Sequence, residues 1–328
     1  MARIAVDAMG GDHAPKEIIR GAVEASNEIG DSIILVGIED QIERELHKYP
    51  QRDNISIQHA SEVIGMNEPP AQIVKQKKDS SLNIAISLVK RGIADGIVSA
   101  GNTGALMASS LFGLGRIRGI ERPAIATIFP STKGEVLLLD MGANVDCKPK
   151  HLLQFAEMGS IYSKEVMHVP NPRVGLLNIG EEPEKGNELT ISTYPLMKRL
   201  NINFIGNVES KEILSGKVDV VVCDGFIGNL ILKFGESLGA MIYEILKEEL
   251  SKHPMSKLGA LFLLPAFKRL QKKIVYDELG GALLLGVNGI VIKAHGRAKS
   301  RAIKNAIKVA HEAINSNVVS VLSRAGEG

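Results

Sequence analysis

Five stretches of this chain place glycine beside Asp, Asn or Thr directly after an apolar run. In the stretch from Gly96 to Ala108, Ile97 and Val98 stop at Gly101, and Asn102 or Thr103 can cap a helix that begins near Gly104. A strand that empties through a glycine turn into a helix presents free backbone N–H groups and the positive end of a helix dipole. That is a place to hold an anion such as phosphate. The same pattern also describes an ordinary capped turn that binds nothing. At the N-terminus, Gly10 and Gly11 let the backbone approach a ligand, with Asp7 and Asp12 orienting donors, or else form a glycine turn closed by an Asx bond. His13 orders that loop, or serves as a base because imidazole titrates near neutrality.

Three further strand ends carry polar groups. Asn144 and Asp146 follow the run that ends at Asp140, where polar side chains face a cleft or bond to loops, since burying them unpaired is costly. From Ile179 to Glu188 the chain gathers Gly180, Glu181, Glu182, Glu184, Lys185 and Gly186. A lysine among acids reads as a surface ion-pair cluster. Beside Gly186, Lys185 can equally reach a phosphate as a compact point charge. Asp224 opens the segment that runs to Asn229, either as a helix N-cap or as a group that orients a nucleophile or leaving thiol. Cys223 ends an apolar strand and reads as core, and nothing near Cys147 marks it as a nucleophile.

The elements that must position these groups alternate. Strand-like runs at 3–8, 33–36, 55–58, 124–129, 135–140, 174–178, 203–205, 218–223, 283–285 and 289–292 are interleaved with helical spacing, the hairpin candidate around 131–134 excepted. This predicts an α/β fold, a mostly parallel, doubly wound sheet with helices on both faces, over one large domain of residues 1–328 that either does or does not divide into two lobes. In such a sheet the five glycine-rich strand ends are expected along one edge.

Composition narrows the partners. Of 328 residues, 45% are apolar and 23% charged, so a core is available and wholesale disorder is excluded. A formal net charge of +2 predicts no nucleic-acid binding. Two cysteines outside any CxxC pair argue against a disulfide framework or a zinc site. No metal and no cofactor are expected. The N-terminal residues read as a strand rather than a signal peptide, and no run reaches the ~20 apolar residues that span a bilayer.

Two basic features remain. Between 251 and 273 there are no acids, and lysines collar an apolar run containing Leu258, Leu261, Phe262 and Leu264. This protruding segment, at about 240–275, suits insertion into an anionic membrane surface, or a subunit interface. Arg297, Arg301, Lys304 and Lys308 share one helical face, either solvated or facing an acidic partner.

Taken together, the stretches 6–13, 99–104, 140–144, 178–186 and 223–229 resemble the bacterial phosphate acyltransferases of the PlsX family, in order and over essentially the whole chain. The resemblance implies a fold similar to phosphotransacetylases and isopropylmalate dehydrogenases. It also implies acyl transfer from acyl-acyl carrier protein to inorganic phosphate for phospholipid synthesis, in a homodimer. The protein is then cytoplasmic and peripherally associated with the inner face of the cell membrane, where a glycerol-phosphate acyltransferase is a downstream partner. Phosphate is itself the nucleophile in that reaction, so no serine or cysteine nucleophile is required. Lys185 and the N–H groups of Gly101 to Gly104 then hold phosphate. Asn144, Asn178 and Asn229 are candidate oxyanion donors, and Asp224 or His13 manages the thiol proton. The Arg297 stripe would dock the carrier protein. Rival readings are a coenzyme A-dependent phosphotransacetylase, a metal-dependent decarboxylating dehydrogenase and a non-catalytic membrane scaffold.

Overall fold

A computed structural model describes residues 1–50, 53–252 and 280–325. The apolar tip at Leu258, Leu261, Phe262 and Leu264 therefore lies outside the described residues. The first half alternates strand and helix: β1 (Arg3–Asp7), α1 (Lys16–Ile29), β2 (Ser32–Gly37), α2 (Glu39–Leu46), β3 (Ile55–His59), α3 (Pro70–Gln76), α4 (Ser81–Lys90), β4 (Gly96–Ser99) and α5 (Thr103–Gly113). A hairpin of β5 (Ala124–Ser131) and β6 (Gly134–Leu139) follows. The second half contains α6 (Pro149–Glu165), β7 (Val174–Leu177), α7 (Glu188–Met197), β8 (Phe204–Val208), α8 (Ser210–Ser215), β9 (Val220–Val222) and the long α9 (Gly225–Lys252). The chain returns through β10 (Ala282–Leu285), β11 (Ile290–Lys293), α10 (Ser300–Asn315) and α11 (Val318–Ala325).

Most boundaries match the apolar periodicity. The short helix α8 escapes it, and the expected single C-terminal helix is two, broken where Asn317 takes a positive φ of 53°. The eleven strands among the described residues form one sheet in the order β3-β2-β1-β4-β11-β10-β5-β6-β9-β7-β8. Alternation along each strand sorts side chains to two cores. Ile4, Val6, Leu137, Leu139, Val220 and Val222 join one, with α1, α6 and α10, while Ala5, Leu138, Val221 and Val291 join the other, with α4 and α5. Helices thus cover both faces of a mostly parallel sheet, as the alternation predicts.

The expectation of one functional edge is corrected. Strands β3, β2, β1, β4 and β11 are mutually parallel, as are β6, β9, β7 and β8. Between the two groups, β11–β10, β10–β5 and β5–β6 are all antiparallel. Three reversals leave the two groups running in opposite directions. The strand ends of the second half therefore do not line up beside those of the first.

Candidate active site

The turns after β1, β4 and β11 are laced together. Asp7 is buried and accepts hydrogen bonds from the hydroxyls of Ser81 (2.6 Å) and Ser99 (2.7 Å), while the Gly101 N–H donates to Ser99 Oγ (3.0 Å). The Asp12 N–H donates to the Gly296 carbonyl (2.8 Å), and the Ala294 N–H to that of Ser99 (2.9 Å). A Cβ on Gly10 would strike the Asp7 carboxylate and the Gly101 backbone, and Gly11 has a φ of 104°, so this close packing requires glycine. Asn102 caps α5 by accepting from the Ala105 N–H (3.0 Å), and its amide donates to the carbonyls of Met66 and Glu68. Asp7 and Asn102 thus build the turns. The helix that starts at Thr103 and Gly104 is aimed by them.

A cleft of about 450 Å³ opens over the sheet between α5 and α9. Asp12, Thr103, Lys293, His295 and Arg297 reach it from the parallel group that contains β1, β4 and β11, Met141, Gly142, Asn229 and Lys233 from the end of β6 and from α9, and Ile125 and Thr127 from β5 between them. Lys293 follows the alternation of β11 on to this face and donates to the Ala294 carbonyl. Burial pulls its pKa down to about 8, against the negative charges of Asp7 and Asp12, which favour the ammonium form. Burial also pushes the Asp7 carboxyl up, opposed by its hydroxyl donors. The hydroxyl of Thr127 is buried and has no hydrogen-bond partner among the described residues. Leaving such a group unsatisfied costs roughly 1–3 kcal/mol, so a polar ligand atom there would be favoured. Lys293, His295 and Thr127 were missed by the sequence reading. The signal available was a lone lysine closing the apolar run from Ile290 to Ile292, just ahead of His295 and Gly296.

Other expected site residues gather elsewhere. Asp140 is the hub of the turn after β6: its carboxylate accepts from the N–H groups of Ile125 (3.0 Å), Ala143 (3.0 Å) and Asn144 (2.6 Å) and from the Asn144 amide (2.8 Å). The Asn144 amide also donates to the Pro123 carbonyl (2.7 Å). Both its amide hydrogens are thereby engaged, which leaves Asn144 supporting the turn rather than donating to an oxyanion. Asp146 is exposed and lines none of these cavities. A second cavity, of about 610 Å³, is lined by Asn178, Gly186, Asn187 and Asp224. The Asn178 amide donates to the Lys185 carbonyl (2.8 Å) and its oxygen accepts from Ile179 (2.8 Å), so it shapes the loop. Gly180 is buried in that loop, and Glu181 and Lys185 are exposed on it. Asp224 accepts from the Ile227 N–H (2.9 Å), the N-cap expected at that position. Thr103 lines the cleft, whereas Lys185 lines neither cavity and only its neighbour Gly186 meets the second, so the two groups expected to grip one phosphate are not brought together.

His13 is exposed beside the cleft without lining it. The thiol of Cys147 is pushed up to about 12 by burial and the nearby carboxylates, and burial likewise raises that of Cys223 well above its ordinary value, so neither is poised as a thiolate nucleophile. In the basic stripe, Lys304 and Lys308 both engage Glu28 of α1, Arg301 is exposed and Arg297 reaches the cleft.

A family model described as fatty acid synthesis protein matches residues 2–321. The chain belongs to that family. It is 52% identical over 322 residues to a phosphate acyltransferase of Heliobacterium modesticaldum, covering 98% of this chain and 96% of the relative. In fold it is similar to a phosphotransacetylase from Streptococcus pyogenes (TM-score 0.67, 15% identity, 96% of this chain and 94% of that one). It is also similar to a 4-hydroxythreonine-4-phosphate dehydrogenase from Klebsiella pneumoniae (TM-score 0.56, 14% identity, 96% and 100%). These two likenesses support the expected dehydrogenase-like α/β fold. The family is the one its glycine-rich motifs resemble.

Proposed function

We propose that the protein transfers a fatty acyl group from acyl-acyl carrier protein to inorganic phosphate, giving acyl phosphate for phospholipid synthesis. The observation that carries this reading at the site is the half-buried Lys293, in one cleft with Arg297, the Thr103 turn and the unpartnered hydroxyl of Thr127. Two cations and a helix N-terminus hold a phosphate dianion, and the apolar floor at Ile125 and Met141 receives the thioester end of an acyl chain. A phosphate oxygen attacks the thioester carbonyl carbon, and the developing oxyanion is met by the Asn229 amide, which makes no hydrogen bond to protein among the described residues. Collapse of the tetrahedral adduct breaks the C–S bond and releases a thiolate, which takes a proton; His295 stands in the same cleft for that step.

The second cavity supports another placement. Lys185, exposed next to the cavity-lining Gly186 and Asn187, would hold phosphate there. The two lysines are separable by substitution.

The exposed apolar residues Phe226, Leu230, Phe234, Leu238 and Met241 fall every three or four positions along α9. A continuous apolar stripe on a helix supports a homodimer. The lysine-collared tip at 258–264 supports reversible attachment to an anionic membrane surface. No helix among the described residues is long and apolar enough to cross a membrane. A cytoplasmic enzyme held at the inner face of the membrane would pass its unstable product to a glycerol-phosphate acyltransferase. The deciding experiment is to supply phosphate with either an acyl-carrier thioester or a coenzyme A thioester and measure acyl phosphate. Use of coenzyme A alone makes the protein a phosphotransacetylase, and no product from either overturns acyl transfer.

A further inference from the structure

Beyond the cleft lies a larger groove of about 1020 Å³; among the described residues, Asn144 is the only expected site residue that lines it. Its floor is apolar, with Met107, Leu111 and Phe112 of α5 and Ile120, and Phe112 is 57% exposed. Its rim holds Arg116, Arg118, Arg122 and Lys148 against a single acid among the described residues, Glu121. That acid is already engaged by Lys150 (2.6 Å) and His151 (3.4 Å). Arg118 and Arg122 are exposed and make no hydrogen bond or ion pair among the described residues. Such a surface complements an acidic partner with an apolar ridge.

The groove and the cleft are neighbours through two shared walls. Along α5, Thr103 lines the cleft while Met107 and Leu111, on the same helical face, line the groove, a path of ~12 Å at the helical rise. On the other side, Met141 and Gly142 line the cleft and the adjoining Ala143 and Asn144 line the groove. The Asp140 hub holds that turn rigid through its bonds to Ala143 and Asn144. By contrast, two of the four cations in the Arg297 stripe are already bound to Glu28.

We propose that the Arg116–Arg118–Arg122–Lys148 groove docks an acidic carrier protein and that the carrier's thioester arm follows the Thr103–Met107–Leu111 face of α5 into the cleft. This rests on the reading of the cleft as a site of acyl transfer. The groove supplies long-range attraction and orientation, and the apolar floor seats the carrier's ridge while the arm delivers the carbonyl to phosphate.

The test uses the full chain with Arg118→Glu/Arg122→Glu, and in parallel the milder Arg118→Gln/Arg122→Gln pair. Acyl phosphate formation is measured with an acyl-carrier thioester and with the acyl-phosphopantetheine thioester lacking the carrier. Reversing two unpaired rim charges should lower kcat/KM for the carrier form by roughly 10- to 100-fold, mainly through KM, and flatten its salt dependence. The rate with the carrier-free thioester should stay within about twofold, as it depends on the cleft rather than the rim. The Gln pair should fall between wild type and the Glu pair. Equal losses with both donors, or no loss with the carrier form, would overturn the docking surface. So would a change of molar mass in light scattering, which would make the groove an interface between copies of this chain. A wild-type protein that uses the carrier-free thioester as well as the carrier form also overturns it while leaving acyl transfer standing. Inactivity with every thioester overturns both.

Discussion

Asp224 and Asn229, little more than one helical turn apart at the start of α9, open on to different cavities. Asp224 lies with Ile227 and Ile231 on the face toward the Asn178–Gly186 loop, and Asn229 lies with Leu232 and Lys233 on the face toward the cleft. The helix is a partition. Residues that one sequence motif holds together are divided by the 100° step of the helix into two chemical environments.

That partition predicts different outcomes for the two. Asn229→Ala should lower kcat by roughly 100-fold, the usual scale for removing one oxyanion donor, with little change in thermal stability. Asp224→Ala should lower stability by about 1 kcal/mol through loss of its cap to Ile227. Steady-state kinetics beside thermal unfolding checks both. A catalytic loss in Asp224→Ala as large as that in Asn229→Ala would relocate the chemistry to the second cavity.

The phosphate site is decided by two lysines. Lys293→Met should raise the phosphate KM or lower kcat/KM by about 10- to 150-fold, the equivalent of one charge-assisted contact of roughly 1.5–3 kcal/mol. Lys185→Met should change the same quantity by less than about threefold. The reverse ranking, measured at subsaturating phosphate, would place the anion beside Gly186.

Lys293 also sets a pH dependence. With its pKa near 8, its positive charge is present at pH 7 and lost as pH rises through that value, so phosphate affinity should weaken between pH 7 and 9. Lys293→Arg should flatten this part of the profile, because guanidinium keeps its charge. Stability runs the other way: between pH 8 and 10.5 the unfolded chain holds a proton on this lysine that the folded chain has released. This group therefore favours folding increasingly as pH rises across that window. A phosphate KM that is level from pH 7 to 9 would remove Lys293 from the anion site.

Asn144→Ala should destabilise rather than deactivate. It removes the amide that bridges Asp140 and Pro123, leaving the buried Pro123 carbonyl without that donor, at a cost of roughly 1–3 kcal/mol. Denaturant unfolding measures it. A 100-fold fall in kcat at unchanged stability would return Asn144 to the role of oxyanion donor.

The apolar stripe and the apolar tip make separate predictions. Phe234→Glu/Leu238→Glu, on the exposed face of α9, should convert a dimer to a monomer in light scattering. Leu258→Glu/Phe262→Glu should leave the dimer intact and release the protein from anionic vesicles in sedimentation. Each buried Leu or Phe is worth roughly 1.5–3 kcal/mol in lipid, and each nearby lysine about 1 kcal/mol. A tip variant that becomes monomeric while still binding vesicles would make the tip the subunit contact.

Local physics made much of this protein readable from its residues. Continuous apolar runs such as Ile4 to Val6 and Val220 to Val222 specify strands buried on both faces, and glycine beside Asn or Asp marks the turns at Gly11, Gly101 and Gly186. Those features depend on neighbours within a few positions, so they survive without a structure. The roles of particular polar groups were less legible. Asn144 and Asn178 each look like a free donor in the sequence, but their amides are taken up by carbonyls of Pro123 and Lys185. Only the tertiary structure decides which strand ends meet. The direction of β6 depends on three successive antiparallel pairings, one of which joins β5 to a strand more than a hundred residues away. Nothing in the local pattern encodes that pairing, and it is what separates Lys185 from the Thr103 turn. Lys293 follows the same rule. A lysine at a strand end is ordinary in sequence, and its lowered pKa arises only when distant elements close over it and exclude water.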